Sequence, residues 1–146
     1  MRKTLATLVV MTIIACSLAL LRASGSTTVT YIPGNDVRAA FAKGAVLLKN
    51  GSYQVHASRR DAAGQVEVHE KDTDIIYVLE GTTTFITGGT MVGGKTTEPD
   101  EIRGTDVTGG ETRTLTKGDV IVVPNGTPHW FKEVSGPMLY YVVKVR

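Results

Sequence analysis

The stretch "GDVIVVPNGTPHWFKE", residues 118–133, decides the fold. Its apolar run, Val120–Val123, stops at a turn, Pro124–Pro128, that contains two prolines and a glycine. Because proline fixes φ and glycine permits positive φ, this turn is stiff and separates two predicted strands. His129 is then the first residue of the second strand. It is either an ordinary half-buried histidine or one arm of a functional site.

Short β-type segments fill the chain on both sides of this stretch, and Gly, Pro or Asp separates them. No helical period intervenes, which predicts an all-β sandwich or barrel. The predicted strands are Tyr53–Arg60, Gln65–His69, Ile75–Leu79, Thr83–Thr87, Val120–Val123, His129–Val134 and Met138–Lys144.

The region before these strands predicts smaller elements. Thr28–Ile32 is a short β-type run, and Asn35 or Asp36 is expected to cap a short helix that ends near Gly44. An Asn-Gly pair at positions 50–51 then predicts a hairpin with a type I′ turn.

The segment Gly88–Arg113 contains seven glycines and little periodicity. This pattern predicts a long loop inside an otherwise compact β-domain. Such a loop is either a mobile surface insertion or a functional lid over a site.

Residues 1–25 have the pattern of a secretory signal peptide, with basic residues, an apolar run and then small residues. This predicts a mature domain, residues 26–146, that is periplasmic or secreted. Three of the 16 basic residues and none of the 14 acidic ones lie in the first 25, so the mature domain carries 13 against 14. That balance, without a basic run, gives no support to nucleic-acid binding.

Two alternatives remain for this N-terminal segment. The apolar run is near the lower length limit for a membrane anchor. Cys16, the only cysteine, ends "IIAC", which resembles a lipobox, so a lipoprotein anchored through Cys16 is the second alternative. If the signal is cleaved, the mature chain has no thiol and no disulfide, and it has no membrane attachment.

The stretch "EVHEKDTD", residues 67–74, carries further polar side chains. Glu67 and His69 are two positions apart and therefore share one face of a strand. A carboxylate and an imidazole that face an interior are costly unless they are hydrogen-bonded or metal-bound. Asp74 opens the next strand and His129 a later one, so both are candidates for the same space. Two histidines with a carboxylate suit a divalent first-row metal.

These residues resemble the first of two short motifs of the cupin superfamily. Glu67 and His69 stand in the places of a His-x-His pair. Asp74 stands in the place of a Glu, and Gly81 in the place of a Gly.

The second cupin motif is matched more closely. Gly118, Pro124, Gly126 and His129 are all in register, while Glu133 stands in the place of an Asn. The resemblance covers residues 45–145 and implies an exported bacterial single-domain cupin of the cupin-2 type. The implied fold is a double-stranded β-helix, or jelly-roll, barrel with a short N-terminal helix.

The resemblance implies a metal ion held by Glu67, His69, Asp74 and His129. The extra carboxylate favours Mn or Fe, with Ni and Zn as alternatives. Each residue also has a structural interpretation. Glu67 is alternatively a solvated strand residue, His69 a hydrogen-bonded core histidine, and Asp74 an ordinary turn residue.

His56 is a candidate catalytic residue on a register argument. If the four-residue loop Asp61–Gly64 joins a hairpin, Ser58 faces Glu67 and His56 faces His69. His56 is then a candidate general base, or a hydrogen-bond partner of a metal ligand. A slip of one residue turns it to the other face.

The expected function is a metal-dependent enzyme that acts on a small organic molecule, with oxygenase chemistry first and lyase or isomerase chemistry second. The alternative is a non-catalytic periplasmic module that binds a ligand or metal, because a fold alone does not determine function. The resemblance also implies a homodimer with an exchanged N-terminal strand, for which Tyr31 and Ile32 are candidates.

Overall fold

The computed structural model describes residues 28–146. The predicted signal peptide, residues 1–25, and the proposed lipidation site at Cys16 lie outside the described residues. One helix, α1 (Gly34–Lys43), precedes eleven strands. These are β1 (Ala45–Lys49), β2 (Tyr53–Arg60), β3 (Val66–His69), β4 (Thr73–Thr87), β5 (Thr90–Val92), β6 (Lys95–Glu98), β7 (Glu101–Gly104), β8 (Asp106–Thr108), β9 (Glu111–Thr116), β10 (Val120–Val123) and β11 (His129–Val145).

Nine of the described strands form one antiparallel sheet that curls around the core, and β5 and β8 form a separate pair. The two longest strands, β4 and β11, pair with each other along most of their length. β4 also pairs with β9 and β10, while β11 also pairs with β2 and β3. The predicted all-β barrel with a short N-terminal helix is therefore confirmed.

Buried and exposed side chains alternate along β4, and the buried ones fill the barrel. Ile76 and Val78 are buried, whereas Ile75 and Tyr77 between them are more than one third exposed. Because successive side chains of a strand point to opposite faces, Asp74 occupies the next inward position of the same strand and is also buried. The strand therefore carries a carboxylate into the interior beside the apolar core. That core comprises Ile76, Val78, Phe85, Leu115, Val123, Phe131, Met138, Tyr140 and Val142.

Four predicted strands are halves of two longer ones. Ile75–Leu79 and Thr83–Thr87 both belong to β4, which continues through Gly81 at φ +86°. His129–Val134 and Met138–Lys144 both belong to β11. Glycine and proline mark bends in these strands and do not end them.

The N-terminal region differs from the prediction in two ways. Thr28–Ile32 forms no strand in this single chain. Pro33 is the residue before α1, and no side chain caps the helix, so the predicted caps Asn35 and Asp36 are wrong. Both of those residues lie within the first turn because the helix begins at Gly34.

The predicted hairpin between β1 and β2 is present, but its turn is of another kind. Neither Asn50 nor Gly51 has positive φ, so the type I′ prediction is wrong. The side chain of Asn50 instead accepts hydrogen bonds from the amides of Ser52 and Tyr53, at 2.8 and 2.9 Å. This local bonding holds a loop one residue longer than predicted.

The segment Gly88–Arg113 is not the long loop that the sequence predicts. It contains the short strands β5 to β8, and β7 pairs with β3 in the main sheet. These strands have three or four residues each, which is too few to give a recognisable period in the sequence. Their pairing across the segment stabilises them.

Within residues 28–146, no helix has the length and apolar character needed to cross a membrane.

Candidate metal centre

The register of β3 against β11 brings two of the predicted ligands together. His129, at the start of β11, lies directly opposite Glu67. The turn before it is fixed to the same region, since the amide of Gly126 donates to the carbonyl of His69 at 2.8 Å. The stiff turn of residues 124–128 therefore sets the position of His129 against β3.

Three donor atoms converge at this point. Nε2 of His69 lies 3.8 Å from Oε2 of Glu67, and Nε2 of His129 lies 4.0 Å from the same oxygen. All three donors lie within 4.8 Å of one another. A first-row metal at about 2.1 Å from each ligand holds neighbouring donors about 3–3.5 Å apart. Small side-chain movements would bring these donors to that spacing, so the three residues fit such an ion.

The second nitrogen of each histidine faces a hydrogen-bond acceptor. Nδ1 of His129 lies 3.2 Å from the carbonyl oxygen of Thr127. Nδ1 of His69 lies 3.7 Å from Oε2 of Glu101, slightly beyond hydrogen-bond distance. For His129 the acceptor at Nδ1 places the proton there and leaves the lone pair on Nε2, which is the arrangement of a metal-binding histidine.

Burial keeps His129 neutral. Its side chain is almost fully enclosed, and this burial lowers the pKa of His129 below the ordinary value of 6.5. The nearby carboxylates of Asp74 and Glu67 raise the pKa but do not offset burial. The Nε2 lone pair is therefore available at neutral pH, as a metal ligand requires.

Asp74 lies beside the three converging donors and has a second partner. Its Oδ2 is 3.4 Å from Nε2 of His69 and 3.9 Å from Nε2 of His129. Nζ of Lys144 donates to both of its oxygens, at 3.0 and 3.1 Å. Burial raises the pKa of Asp74, but contacts with His69 and Lys144 outweigh this effect and hold it below 3.8. Asp74 is thus ionised and bridges the histidines to an ammonium group.

His56 faces the same interior, although the register used to predict this is wrong. β2 does not pair with β3; it pairs with β1 and β11. His56 lies opposite Val142 of β11, and this register turns it into a cavity that Glu67, His69 and Asp74 also line. Its Nε2 lies 3.2 Å from Oε1 of Gln54. Burial, followed by the charge of Lys144, lowers the pKa of His56 below 6.5.

Two residues of β7 also belong to the site, although their sequence pattern does not predict this. Arg103 lies opposite Glu67 and binds its Oε1 at 3.0 Å, and it binds Oε1 of Glu101 at 2.6 Å. The alternation Glu101-Ile102-Arg103 is the only sequence signal for this arrangement. It is too short to identify a strand without knowledge of its pairing partner.

Glu67 and His69 line a cavity of about 270 Å³, beside the buried His129. Its charged side chains include three anionic residues, Glu67, Asp74 and Glu101, and three cationic residues, Arg60, Arg103 and Lys144. A larger cavity of about 610 Å³ lies between β9 and β10 but contains none of the metal ligands. We assign the functional site to the smaller cavity because the chemically competent groups converge there.

A family model for cupins matches residues 27–145. The chain belongs to the cupin family. The resemblance drawn from residues 67–81 and 118–133 is therefore confirmed over nearly the whole described chain. No curated protein matches this cupin.

Solved structures with the same fold share little sequence with this cupin. The protein BH2720 from Bacillus halodurans has a TM-score of 0.57 at 14% identity, over 79% of this chain and 80% of that one. KdgF from Halomonas sp. has a TM-score of 0.51 at 19% identity, over 70% and 77%. The DMSP lyase DddQ from Ruegeria pomeroyi has a TM-score of 0.51 at 18% identity, over 70% and 46%. At these identities the likeness extends to the fold alone.

Proposed function

We propose that this cupin is a metal-dependent enzyme that acts on a small organic molecule bound in the 270 Å³ cavity. The observation that carries this proposal is the convergence of one carboxylate, Glu67, and two imidazole nitrogens, from His69 and His129. Two histidines and one carboxylate leave other coordination positions free for substrate. A divalent metal bound there would supply Lewis-acid chemistry or a binding position for dioxygen.

The metal that this donor set favours is Mn(II) or Fe(II). Glu67 contributes a hard anionic oxygen, and the ionised Asp74 lies within 4.0 Å of both histidines. Oxygen-rich sites favour these ions over softer ones. His69 and His129 would bind through Nε2 and Glu67 through Oε2, while Asp74 is the candidate fourth ligand once it is released from Lys144.

His56 is the candidate proton acceptor for the reaction. With Nε2–H donated to Gln54, its Nδ1 is left with a lone pair, and its lowered pKa keeps the ring neutral near pH 7. A neutral imidazole beside a metal-bound substrate is suited to general-base catalysis. Oxygenase chemistry and lyase or isomerase chemistry both fit these groups. One of the structural neighbours is named a lyase, but its low identity does not assign a reaction to this chain.

Metal content of purified protein tests the proposal. We expect about one first-row metal ion per wild-type chain after loading with Mn(II) or Fe(II), and a loss of at least about tenfold in metal affinity for His69→Ala and His129→Ala. His56→Ala is the matched control, because it removes a histidine from the same cavity without removing a converging donor. Equal metal in all four proteins would contradict the ligand assignment.

Turnover then separates an enzyme from a binding module. Metal-loaded protein is incubated with small phenols, diketones and organic acids, while oxygen consumption and product formation are followed. Substrate consumption that depends on His129 supports the enzyme. Ligand binding without consumption of any compound would favour the non-catalytic module.

We also propose that this cupin is a homodimer. Apolar side chains of β10 and β4 lie opposite each other on the outer face of the sheet, Val120 beside Tyr77 and Val122 beside Ile75. The two valines are 61% and 55% exposed, which is unusual for a contiguous apolar surface of a monomer. Light scattering of Val120→Asp protein is the measurement, and an unchanged molecular mass would contradict this assembly.

The N-terminal pattern supports export to the periplasm or medium, and we propose that the mature chain begins at Ser26. The mass of the protein recovered from the producing cell, measured by mass spectrometry, shows at which residue the mature chain begins. A mass that includes residues 1–25 would contradict cleavage, and a lipid attached to Cys16 would favour the lipoprotein.

A further inference from the structure

Three cationic side chains line the cavity, and Arg60 is the one that forms no ion pair within residues 28–146. Lys144 is paired with Asp74, and Arg103 is paired with Glu67 and Glu101. Among residues 28–146, no carboxylate oxygen lies within the 4.0 Å ion-pair distance of Arg60. All three anionic groups lining the cavity are therefore engaged elsewhere, while one guanidinium has no anionic partner.

The guanidinium of Arg60 is held in a defined place. Its central carbon lies 4.5 Å from the centre of the Phe131 ring. Its Nε lies 3.4 Å from the hydroxyl oxygen of Tyr140. Within residues 28–146 neither terminal nitrogen makes a hydrogen bond, and these two nitrogens form an edge that can bind a planar carboxylate in a bidentate way.

The loop after Arg60 encloses the guanidinium from the other side. A Cβ at Gly64 would collide with Nη1 of Arg60, so a larger residue here would displace the guanidinium from this position. The loop is fixed, since the amide of Gly64 donates to the carbonyl of Phe131 at 2.9 Å and Nε1 of Trp130 donates to the carbonyl of Gly64 at 2.7 Å. Arg60 is thus pre-positioned before any ligand binds, which lowers the entropic cost of binding.

The carboxylates that line the cavity disfavour a further anion beside them. Glu67 faces the two histidines there, and Asp74 lies within 4.0 Å of both. A substrate carboxylate placed among these groups meets like charges at short range. A small acid would therefore bind with its carboxylate away from these groups and its uncharged part toward them.

We propose that Arg60 is the carboxylate-binding residue of this cavity and that the substrate is a small organic acid. That the rest of the substrate reacts at the metal site rests on the proposed function. That its carboxylate binds in this cavity rests on Arg60 alone. Tyr140 and Ser58 contribute hydroxyl groups beside the guanidinium, since Ser58 lies opposite Tyr140 in the sheet. The cavity volume of about 270 Å³ lies below the roughly 300–1,000 Å³ of sites for drug-sized molecules, so the acid is a small one.

Calorimetric titration with matched pairs of acids and amides tests the proposal. The probes are propionate, lactate and benzoate, each compared with its own amide at constant ionic strength. We expect at least one acid to bind wild-type protein, and Arg60→Gln to weaken that binding roughly 10- to 100-fold. Arg60→Lys should retain part of the affinity because it keeps the charge but loses the bidentate geometry.

Arg59→Gln is the matched control. This variant carries the same substitution one position earlier in β2. The side chain of Arg59 lies on the outer face, where it is paired with Asp61 at 2.7 Å. Its acid binding should equal that of wild type. If Arg60→Gln fails to fold, as judged by thermal unfolding, Arg60→Lys carries the comparison. The proposal is overturned if no acid binds better than its amide, or if both Arg60 variants bind acids as wild type does.

The failures of the two proposals are distinguishable. Metal content and acid binding are measured on the same preparations, and His69→Ala is titrated alongside. If His69→Ala loses metal and still binds the acid, both proposals stand. If wild-type protein binds acid through Arg60 but never binds metal, the proposed enzyme fails while the carboxylate site stands. If metal binds normally and Arg60→Gln leaves acid affinity unchanged, only the carboxylate site fails.

Discussion

His129, Glu67 and His69 lie in a largely buried site where several ionisable side chains are close together. Within residues 28–146, no buried side-chain nitrogen or oxygen lacks a hydrogen-bond partner. The neighbouring Asp74 is part of this balance, because its buried carboxylate accepts from Nζ of Lys144. Removing one member of such a pair leaves a charge in a medium that solvates it poorly.

Lys144→Ala should therefore destabilise the metal-free protein by about 2–4 kcal/mol, since it leaves the Asp74 carboxylate without its ammonium partner. Urea unfolding of the metal-free protein measures the change. The double variant Lys144→Ala with Asp74→Asn is the control, and it should recover part of the loss because the unpaired charge is gone. If the double variant is less stable than Lys144→Ala, the carboxylate is not the cause.

At this scale the sequence was informative where a residue had a fixed place in a motif. The four metal-site candidates meet because their spacing matches the cupin motifs. Arg103 and Arg60 were not predicted as site residues, because their roles depend on which strands pair. His56 does face the interior, but for another reason than the predicted pairing: it lies opposite Val142, a core residue of β11.

Two strands, β4 and β11, determine how the elements assemble. Each continues through a bend that the sequence analysis took for a break, because glycine usually weakens a strand. Gly81 in β4 shows why a glycine is needed there. It has φ +86°, and a Cβ at this position would lie 2.6 Å from the carbonyl oxygen of Pro137 in β11.

Gly81→Ala and Gly118→Ala should differ sharply in stability. Gly118 also has positive φ, at +94°, but a Cβ there meets nothing within 4 Å. Its replacement should cost only the strain of the backbone, about 1–2 kcal/mol. Gly81→Ala adds a clash with the partner strand and should cost at least about 3 kcal/mol. Chemical denaturation of both variants measures this, and equal losses would show that the close approach is unimportant.

Two histidines have lowered pKa values in the folded protein, the buried His129 and the half-buried His56, and this couples the stability of the whole molecule to pH. Burial lowers the pKa of both His56 and His129 below 6.5, the value expected in the unfolded chain. As the pH falls through 6.5, the unfolded chain takes up protons before the folded chain does. The free energy of unfolding therefore decreases as the pH falls below about 7. The decrease ends at the pH where the histidines of the folded protein also bind protons.

Metal-free protein should consequently show a lower urea midpoint at pH 5.5 than at pH 7.5. The lowered pKa of Asp74 adds a further loss at more acidic pH, because that carboxylate contributes stability only while it is ionised. His56→Ala should reduce the slope between pH 7 and 5.5 by removing one of the two histidines. A midpoint that rises on acidification over this range would contradict the burial of neutral histidines.

The hydrogen bond from Trp130 to Gly64 gives this cupin an internal optical reporter. Trp130 is the only tryptophan in the chain, so all indole fluorescence comes from one position. Its ring nitrogen is bonded to the loop that borders Arg60, while the next residue along the chain, Phe131, contacts the guanidinium. An event that shifts the loop changes the surroundings of that single emitter. Displacement of this loop can therefore be followed in unlabelled protein and in real time, without knowledge of the reaction.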